Sequence, residues 1–193
     1  DDDNEDIAQL SNRLAWQMRQ GGTERLLAIT EVRVPGVGRR LAFDARGCRV
    51  VQEAMTHQDL GCQAQADIAA DLKGHVVEAM RSPHANYVIQ RIVEVLTAEP
   101  AGFVAEELLI SCKGLVRERY GCRIFCRLLE YSPQDTRTIR LIDEVLTDAG
   151  ELCRHFYGHH VLQTVLEHGL PWQRQAVIQA LLQDLPRNVE SSN

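Results

Sequence analysis

Gly47-Cys48-Arg49-Val50-Val51-Gln52, Ala85-Asn86-Tyr87-Val88-Ile89-Gln90, Gly121-Cys122-Arg123-Ile124-Phe125-Cys126 and Gly158-His159-His160-Val161-Leu162-Gln163 align with one another without gaps. They start at residues 47, 85, 121 and 158, so their spacings are 38, 36 and 37 residues. Each opens on a small residue, carries a flat side chain two places later, and then an apolar pair. Each runs on into a second apolar pair: Ala54-Met55, Ile92-Val93, Leu128-Leu129 and Val165-Leu166. Self-similarity at a fixed period of this size marks a repeat architecture.

Upstream of the blocks lies a second pattern. Ile68, Leu72, Val76 and Met80 recur at spacing four. Leu108 through Val116 and Ile142 through Leu152 behave likewise. Apolar residues at helical spacing predict amphipathic helices. Ser82-Pro83, Glu99-Pro100, Ser132-Pro133 and Leu170-Pro171 fall between the helical patterns as breakers. Ser132 is predicted as an N-cap, with Pro133 in the first turn behind it. No alternating strand pattern interrupts the array, so the predicted fold is all-α. A helical unit of about 37 residues cannot bury its apolar face alone, so neighbours stack into a solenoid with one continuous core. Period alone leaves a HEAT or armadillo-like protein-binding scaffold open, although those repeats run about 40–47 residues.

Composition narrows the function. The chain has 193 residues, 45% of them hydrophobic and 25% charged, with a net charge of −6. Asp1, Asp2, Asp3, Glu5 and Asp6 supply five negative charges, so the rest of the chain is near −1. Such a chain lacks the basic excess of a nonspecific polyanion binder, whose affinity comes from neutralising phosphates. Reading of single-stranded bases stays open, because stacking and base-edge hydrogen bonds supply that energy. No apolar run reaches the roughly 18–20 residues of a membrane span. None of the six cysteines forms a C-x-x-C pair, and reduced thiols are expected.

The blocks resemble the recognition helices of Pumilio-family (PUF) repeats. Asn86-Tyr87-Val88-Ile89-Gln90 is identical to a recurring motif of that family, and Cys48-Arg49-Val50-Val51-Gln52 is similar to a second. Leu72-Lys73-Gly74-His75-Val76-Val77 resembles the family's middle helix. The resemblance covers roughly residues 37 to 190. It implies a right-handed α-solenoid of stacked three-helix Pumilio-type repeats. Residues 1–30 would then be an acidic tail and N-terminal capping helices. Residues 31–193 would be about four repeats, with the first helix of a truncated fifth over Trp172–Leu182.

The resemblance also implies sequence-specific binding of single-stranded RNA, one base per repeat, in the post-transcriptional control of mRNA. Counted from the residue after the leading Gly or Ala, the first and fifth residues are i and i+4 on a helix and share one face. By resemblance they read base edges: Cys48 with Gln52, Asn86 with Gln90, Cys122 with Cys126, and His159 with Gln163. The second residues, Arg49, Tyr87, Arg123 and His160, would stack between bases; each has a flat π-system. The apolar third and fourth residues are expected in the core. Family usage implies adenine at the first repeat, uracil at the second, weakly adenine at the third and uracil at the fourth. With antiparallel binding the core reads 5′-UAUA-3′. Cys126 in place of glutamine and His159 in place of Asn or Ser put the last two repeats' readings in doubt.

The remaining constellations are weaker. Cys122 with Cys126, and His155 with His159, have i, i+4 spacing but fall short of the four ligands zinc takes. Neither metal, cofactor nor catalytic role is expected, and the chain reads as a monomeric binding protein rather than an enzyme. Gly36-Val37-Gly38 is expected as a turn, and Trp16 and Trp172 as packed core or cap residues. Arg91 and Arg127 are expected in surface ion pairs, with phosphate contact the alternative. A cytoplasmic location, RNA and protein co-regulators follow from the resemblance; ribosomal-RNA processing in the nucleolus is the alternative.

Overall fold

The computed structural model describes residues 6–57 and 61–190, with only the backbone for 184–190. The acidic run of residues 1–5 lies outside the described residues. Every regular element among the described residues is a helix. The chain forms two compact units, Asp1–Val104 and Ala105–Asn193.

Unit one begins with α1 (Ile7–Gln20) and α2 (Gly22–Val32). α1 starts on Asp6, whose carboxylate accepts from the Ala8 N–H, and it buries Leu10, Leu14 and Met18 at spacing four. Then come α3 (Val37–Phe43), α4 (Gly47–Thr56), α5 (Cys62–Ala70), α6 (Val76–Arg81), α7 (Ala85–Val95) and α8 (Ala98–Ala101). The unit ends inside α9 (Phe103–Leu109). α4 packs between α1 and α7, and α3 covers α4. Unit two continues through α10 (Cys112–Leu115), α11 (Gly121–Tyr131), α12 (Thr136–Leu146), α13 (Ala149–Leu152), α14 (Gly158–His168) and α15 (Pro171–Glu190). There α11 and α14 pack side by side, and α15 lies against α12, α13 and α14.

The core follows the repeat. Val50, Val51, Ala54 and Met55 of α4 are buried, as are Val88, Ile89, Ile92 and Val93 of α7. Ile124, Phe125, Leu128 and Leu129 of α11 repeat the pattern, and Val161, Leu162 and Val165 of α14 close it. The apolar pair at the third and fourth places of each block therefore points inward, as expected. Of the second apolar pairs, only Leu166 lies partly in water, near the end of α14.

Several expectations need correction. The spacing-four run from Ile68 to Met80 is not one helix: α5 stops at Ala70, and the chain turns through Gly74 at φ +80° before α6. That left-handed conformation ends a helix and favours glycine. Leu108–Val116 and Ile142–Leu152 also break, before Cys112 and before Ala149, at Ser111 and Asp148 and without a left-handed glycine. Ser132 caps the end of α11 and is not the N-cap of α12. The cap is Asp135, which accepts from the N–H groups of Arg137 and Thr138; a carboxylate there also meets the positive end of the helix. Gly36 is the turn residue, at φ +86°, while Val37 and Gly38 already belong to α3. Trp16 and Trp172 are not packed; they are 52% and 56% exposed. Trp172 lies along α15 with its indole N–H donating to Asp143 at 3.3 Å.

Candidate nucleic-acid interface

Three of the four recognition helices, α4, α7 and α14, start from a cap three residues before the leading small residue. Asp44 Oδ2 accepts from the N–H groups of Arg46 (2.9 Å) and Gly47 (2.7 Å). Ser82 Oγ accepts from His84 (3.2 Å) and Ala85 (3.1 Å). His155 Nδ1 accepts from Tyr157 (3.2 Å) and Gly158 (3.1 Å). Three different side chains thus serve the same otherwise unsatisfied donors of a helix start. Burial raises the Asp44 carboxyl, but hydrogen bonds, the Gly47 N–H foremost, outweigh it and hold the group below the usual carboxylate value. The small leading residue has a steric cause in repeat one. A Cβ on Gly47 would sit 2.6 Å from the Leu41 carbonyl oxygen and 2.8 Å from Ser11 Oγ.

From these starts the helices present their second positions alike. The second residues Arg49, Tyr87, Arg123 and His160 are all exposed. The first residues turn back on the preceding turn in every repeat. Cys48 Sγ donates to the Ala45 carbonyl at 3.4 Å, and Cys122 Sγ to the Arg119 carbonyl at 3.4 Å. Asn86 Nδ2 donates to the Ser82 carbonyl at 2.8 Å, and His159 Nδ1 lies 3.0 Å from the His155 carbonyl. Burial pushes the Cys48 and Cys122 thiols up, so both stay neutral donors near neutral pH.

The fifth residues differ. Gln52 Nε2 donates to the Cys48 carbonyl at 2.9 Å. Gln90, buried, donates to Asn86 Oδ1 at 3.0 Å, which joins the two members of that predicted edge pair. Gln163 is exposed and lies 3.5 Å from Glu167 Oε1. Cys126 turns to the neighbouring helix. Its Sγ lies 3.2 Å from Thr164 Oγ1 and 3.8 Å from the His160 carbonyl, joining α11 to α14. Burial raises that thiol to about 11. An amide carries two N–H donors and a carbonyl, so Gln52 and Gln90 keep groups able to meet a base edge. A neutral thiol offers one weak donor.

Arg91 pairs with Glu94 at 2.9 Å and Arg127 with Glu130 at 2.5 Å, so the ion-pair reading of both holds. Arg39 lies 2.6 Å from His75 Nε2. Among the described residues no three His, Cys, Asp or Glu side chains are grouped to hold a metal ion. The shared caps were not anticipated from the sequence. The signal was present, since Asp44, Ser82 and His155 each stand three residues before a block.

A family model described as the Pumilio-family RNA binding repeat matches residues 40–60, 75–109, 112–146 and 149–182. Its last window reaches residue 182, inside α15. Pumilio homolog 12 of Arabidopsis thaliana is 28% identical over 149 residues, covering 77% of this chain and 25% of that protein. Fem-3 mRNA-binding factor 2 of Caenorhabditis elegans is 21% identical over 160 residues, covering 74% of this chain and 25% of that protein. The chain thus spans about a quarter of the length of these relatives. The solved Puf3 RNA binding domain, bound to the Cox17 RNA 3′ UTR recognition sequence site B, matches with a TM-score of 0.81 at 21% identity. That match covers 96% of this chain and 54% of that domain. The fold is the all-α solenoid of stacked Pumilio-type repeats, and with four windows spanning more than half its length the chain belongs to the Pumilio (PUF) repeat family.

Proposed function

We propose that this chain binds single-stranded RNA in a sequence-specific way, as a binding protein and not a catalyst, and that it acts in the regulation of mRNA. One observation carries the reading. All four recognition helices expose a flat side chain, Arg49, Tyr87, Arg123 or His160, directly beside the first residue of a predicted edge pair. A repeated polar and π-bearing row of that kind suits bases stacked one per repeat. It has no purpose in a scaffold whose partner is an apolar peptide. The solved relative bound to a 3′ UTR sequence and the relative named an mRNA-binding factor support the same class of ligand.

The residue pairs give the preferred sequence. Cys48 with Gln52 takes adenine and Asn86 with Gln90 takes uracil; Cys122 favours adenine and Gln163 uracil, for a core of 5′-UAUA-3′. The test is a fluorescence-anisotropy titration of a ten-nucleotide RNA carrying that core, with each core base varied in turn. Tyr87→Ala should weaken binding by about 1–3 kcal/mol, with an unchanged circular-dichroism spectrum. Asn86→Ser together with Gln90→Glu should move the second repeat from uracil toward guanine, whose N–H donors a carboxylate accepts. RNA binding that is absent, or indifferent to Tyr87→Ala, defeats the proposal.

A further inference from the structure

Unit two carries a second set of flat side chains that the one-base-per-repeat reading does not use. In both of its repeats a tyrosine precedes the leading glycine, Tyr120 before Gly121 and Tyr157 before Gly158, and both tyrosines are half-buried. Before each stands a flat, exposed group, Arg119 or Phe156. The Arg119 guanidinium carbon lies 5.5 Å from the Tyr120 ring centroid. The Phe156 ring meets Tyr157 edge to face, with centroids 4.9 Å apart and planes at 84°. Each tyrosine therefore acts as a wall that orients the flat group beside it. The equivalent residues of unit one, Ala45-Arg46 and Pro83-His84, include no such pair.

Backbone hydrogen bonds fix where these groups stand. The Cys122 N–H donates to the Glu118 carbonyl at 3.1 Å, and the His159 N–H to the His155 carbonyl at 3.2 Å. Both are four-residue bonds, so helical geometry extends one turn ahead of α11 and α14. Arg119 then stands one turn before Arg123, and Phe156 one turn before His160, on the same side of each helix. As equivalent helices of consecutive repeats, α11 and α14 run side by side, tied where Cys126 meets Thr164 and the His160 carbonyl. Arg119 and Phe156 thus form a second row beside the first row of Arg123 and His160. Phe156 is 74% exposed, a large apolar ring left in water beside arginine and histidine. Its cationic and aromatic surroundings match phosphates and base faces better than an apolar peptide.

We infer that Phe156, with Arg119 beside it, is a second stacking platform that takes the face of one more nucleobase of the bound strand. The inference rests on the RNA-binding reading above. Stacking on a ring is tolerant of base identity, so this platform adds affinity without adding a letter to the recognised sequence. The strand therefore contacts unit two over more than its two read bases.

The experiment uses the same ten-nucleotide RNA and the whole chain. Phe156→Ala and, as a reference within the first row, His160→Ala are titrated against the parent RNA. They are also titrated against a series in which each nucleotide outside the core is replaced in turn by an abasic one. Phe156→Ala should weaken parent RNA binding about tenfold. One abasic position should cost the unmodified protein the same factor and cost Phe156→Ala nothing further. A loss in His160→Ala with none in Phe156→Ala overturns the second platform, keeps the RNA reading and leaves the ring for a protein partner. A Phe156→Ala loss that every abasic RNA adds to equally also overturns it, because the ring then meets no base. Absence of RNA binding in the unmodified chain removes both readings.

Discussion

The recognition helices of the two units solve the same problem with different chemistry. In unit one, α4 and α7 end their trios with amides that are satisfied inside the helix: Gln52 on the Cys48 carbonyl and Gln90 on Asn86. In unit two, α11 ends its trio with a thiol turned toward the neighbouring helix, and α14 with an exposed Gln163. Unit one's amides are held in place before any ligand arrives, and a held amide loses little freedom on meeting a base edge. Unit two gives up one amide and in exchange has a side-chain tie between two recognition helices. Its flat residues Arg119 and Phe156 suit general stacking more than reading. The lesson is that a repeat can keep its backbone and core while its fifth position passes from an amide held within one helix to a thiol that joins two.

The sharpest break of that comparison is at Cys126. Alkylation needs the thiolate. With the Cys126 thiol raised from 9.0 to about 11, chiefly by burial, its thiolate at pH 8 is about a hundredfold scarcer than for an ordinary cysteine. Iodoacetamide at pH 8, followed by mass spectrometry, should therefore label exposed Cys62 long before Cys126. Equal rates would show that α11 and α14 are not held together at this point.

The next effect is steric. Gly47→Ala forces a Cβ to 2.6 Å from a backbone oxygen, Leu41 O, which cannot swing away. It should cost about 1–3 kcal/mol. In Gly158→Ala the nearest atom, also at 2.6 Å, is Leu152 Cδ2, the end of a side chain that can rotate. The penalty there should be smaller by half or more. Urea unfolding of the two variants measures the difference, and equal penalties would show that the first repeat's start is no tighter than the fourth's.

Most of the fold was legible in the sequence because its cause is periodic. Val50-Val51, Val88-Ile89, Ile124-Phe125 and Val161-Leu162 recur in phase, and burial follows them. The breaks inside the upstream helices were less legible. Ile68, Leu72, Val76 and Met80 keep helical spacing across Gly74, so apolar period alone hides a turn that a single left-handed glycine makes. The N-cap of α12 was misread because Ser132 and Asp135 are both capping residues, and only backbone geometry separates them. At the site, the exposed second residues were legible as flat side chains in phase. The inward turn of Asn86 and the tie made by Cys126 were not, because each depends on a partner, Ser82 O or Thr164 Oγ1, that the alignment of blocks does not include.

A smaller test concerns the fifth residues themselves. Gln90→Ala removes the donor to Asn86 Oδ1 inside a buried pair, and should cost about 1–2 kcal/mol of stability. Gln163→Ala changes an exposed side chain and should stay within about 0.5 kcal/mol. RNA affinity should fall for both, so stability and binding separate in unit two and move together in unit one. Equal stability losses would erase the distinction between held and open amides.

The smallest effect lies in the caps, and pH distinguishes them. Asp44→Ala and Ser82→Ala should each cost about 1 kcal/mol, the usual value of an N-cap side chain. Asp44 titrates lower in the folded chain than an ordinary carboxyl, which titrates near 3.9 when unfolded. A depressed carboxyl contributes stability that is present above its unfolded value and is lost as pH falls through its folded value. The gap between the unmodified chain and Asp44→Ala should therefore be full at pH 6 and shrink steadily below about pH 4. A serine hydroxyl carries no charge over that range, so the gap for Ser82→Ala should not change. Thermal unfolding of the three proteins from pH 6 to pH 3 makes the comparison. If both gaps shrink together, the acid dependence belongs to the unit as a whole. If only the Asp44 gap shrinks, the first recognition helix rests on a charge and the second on a neutral hydroxyl, under the same pair of backbone N–H groups.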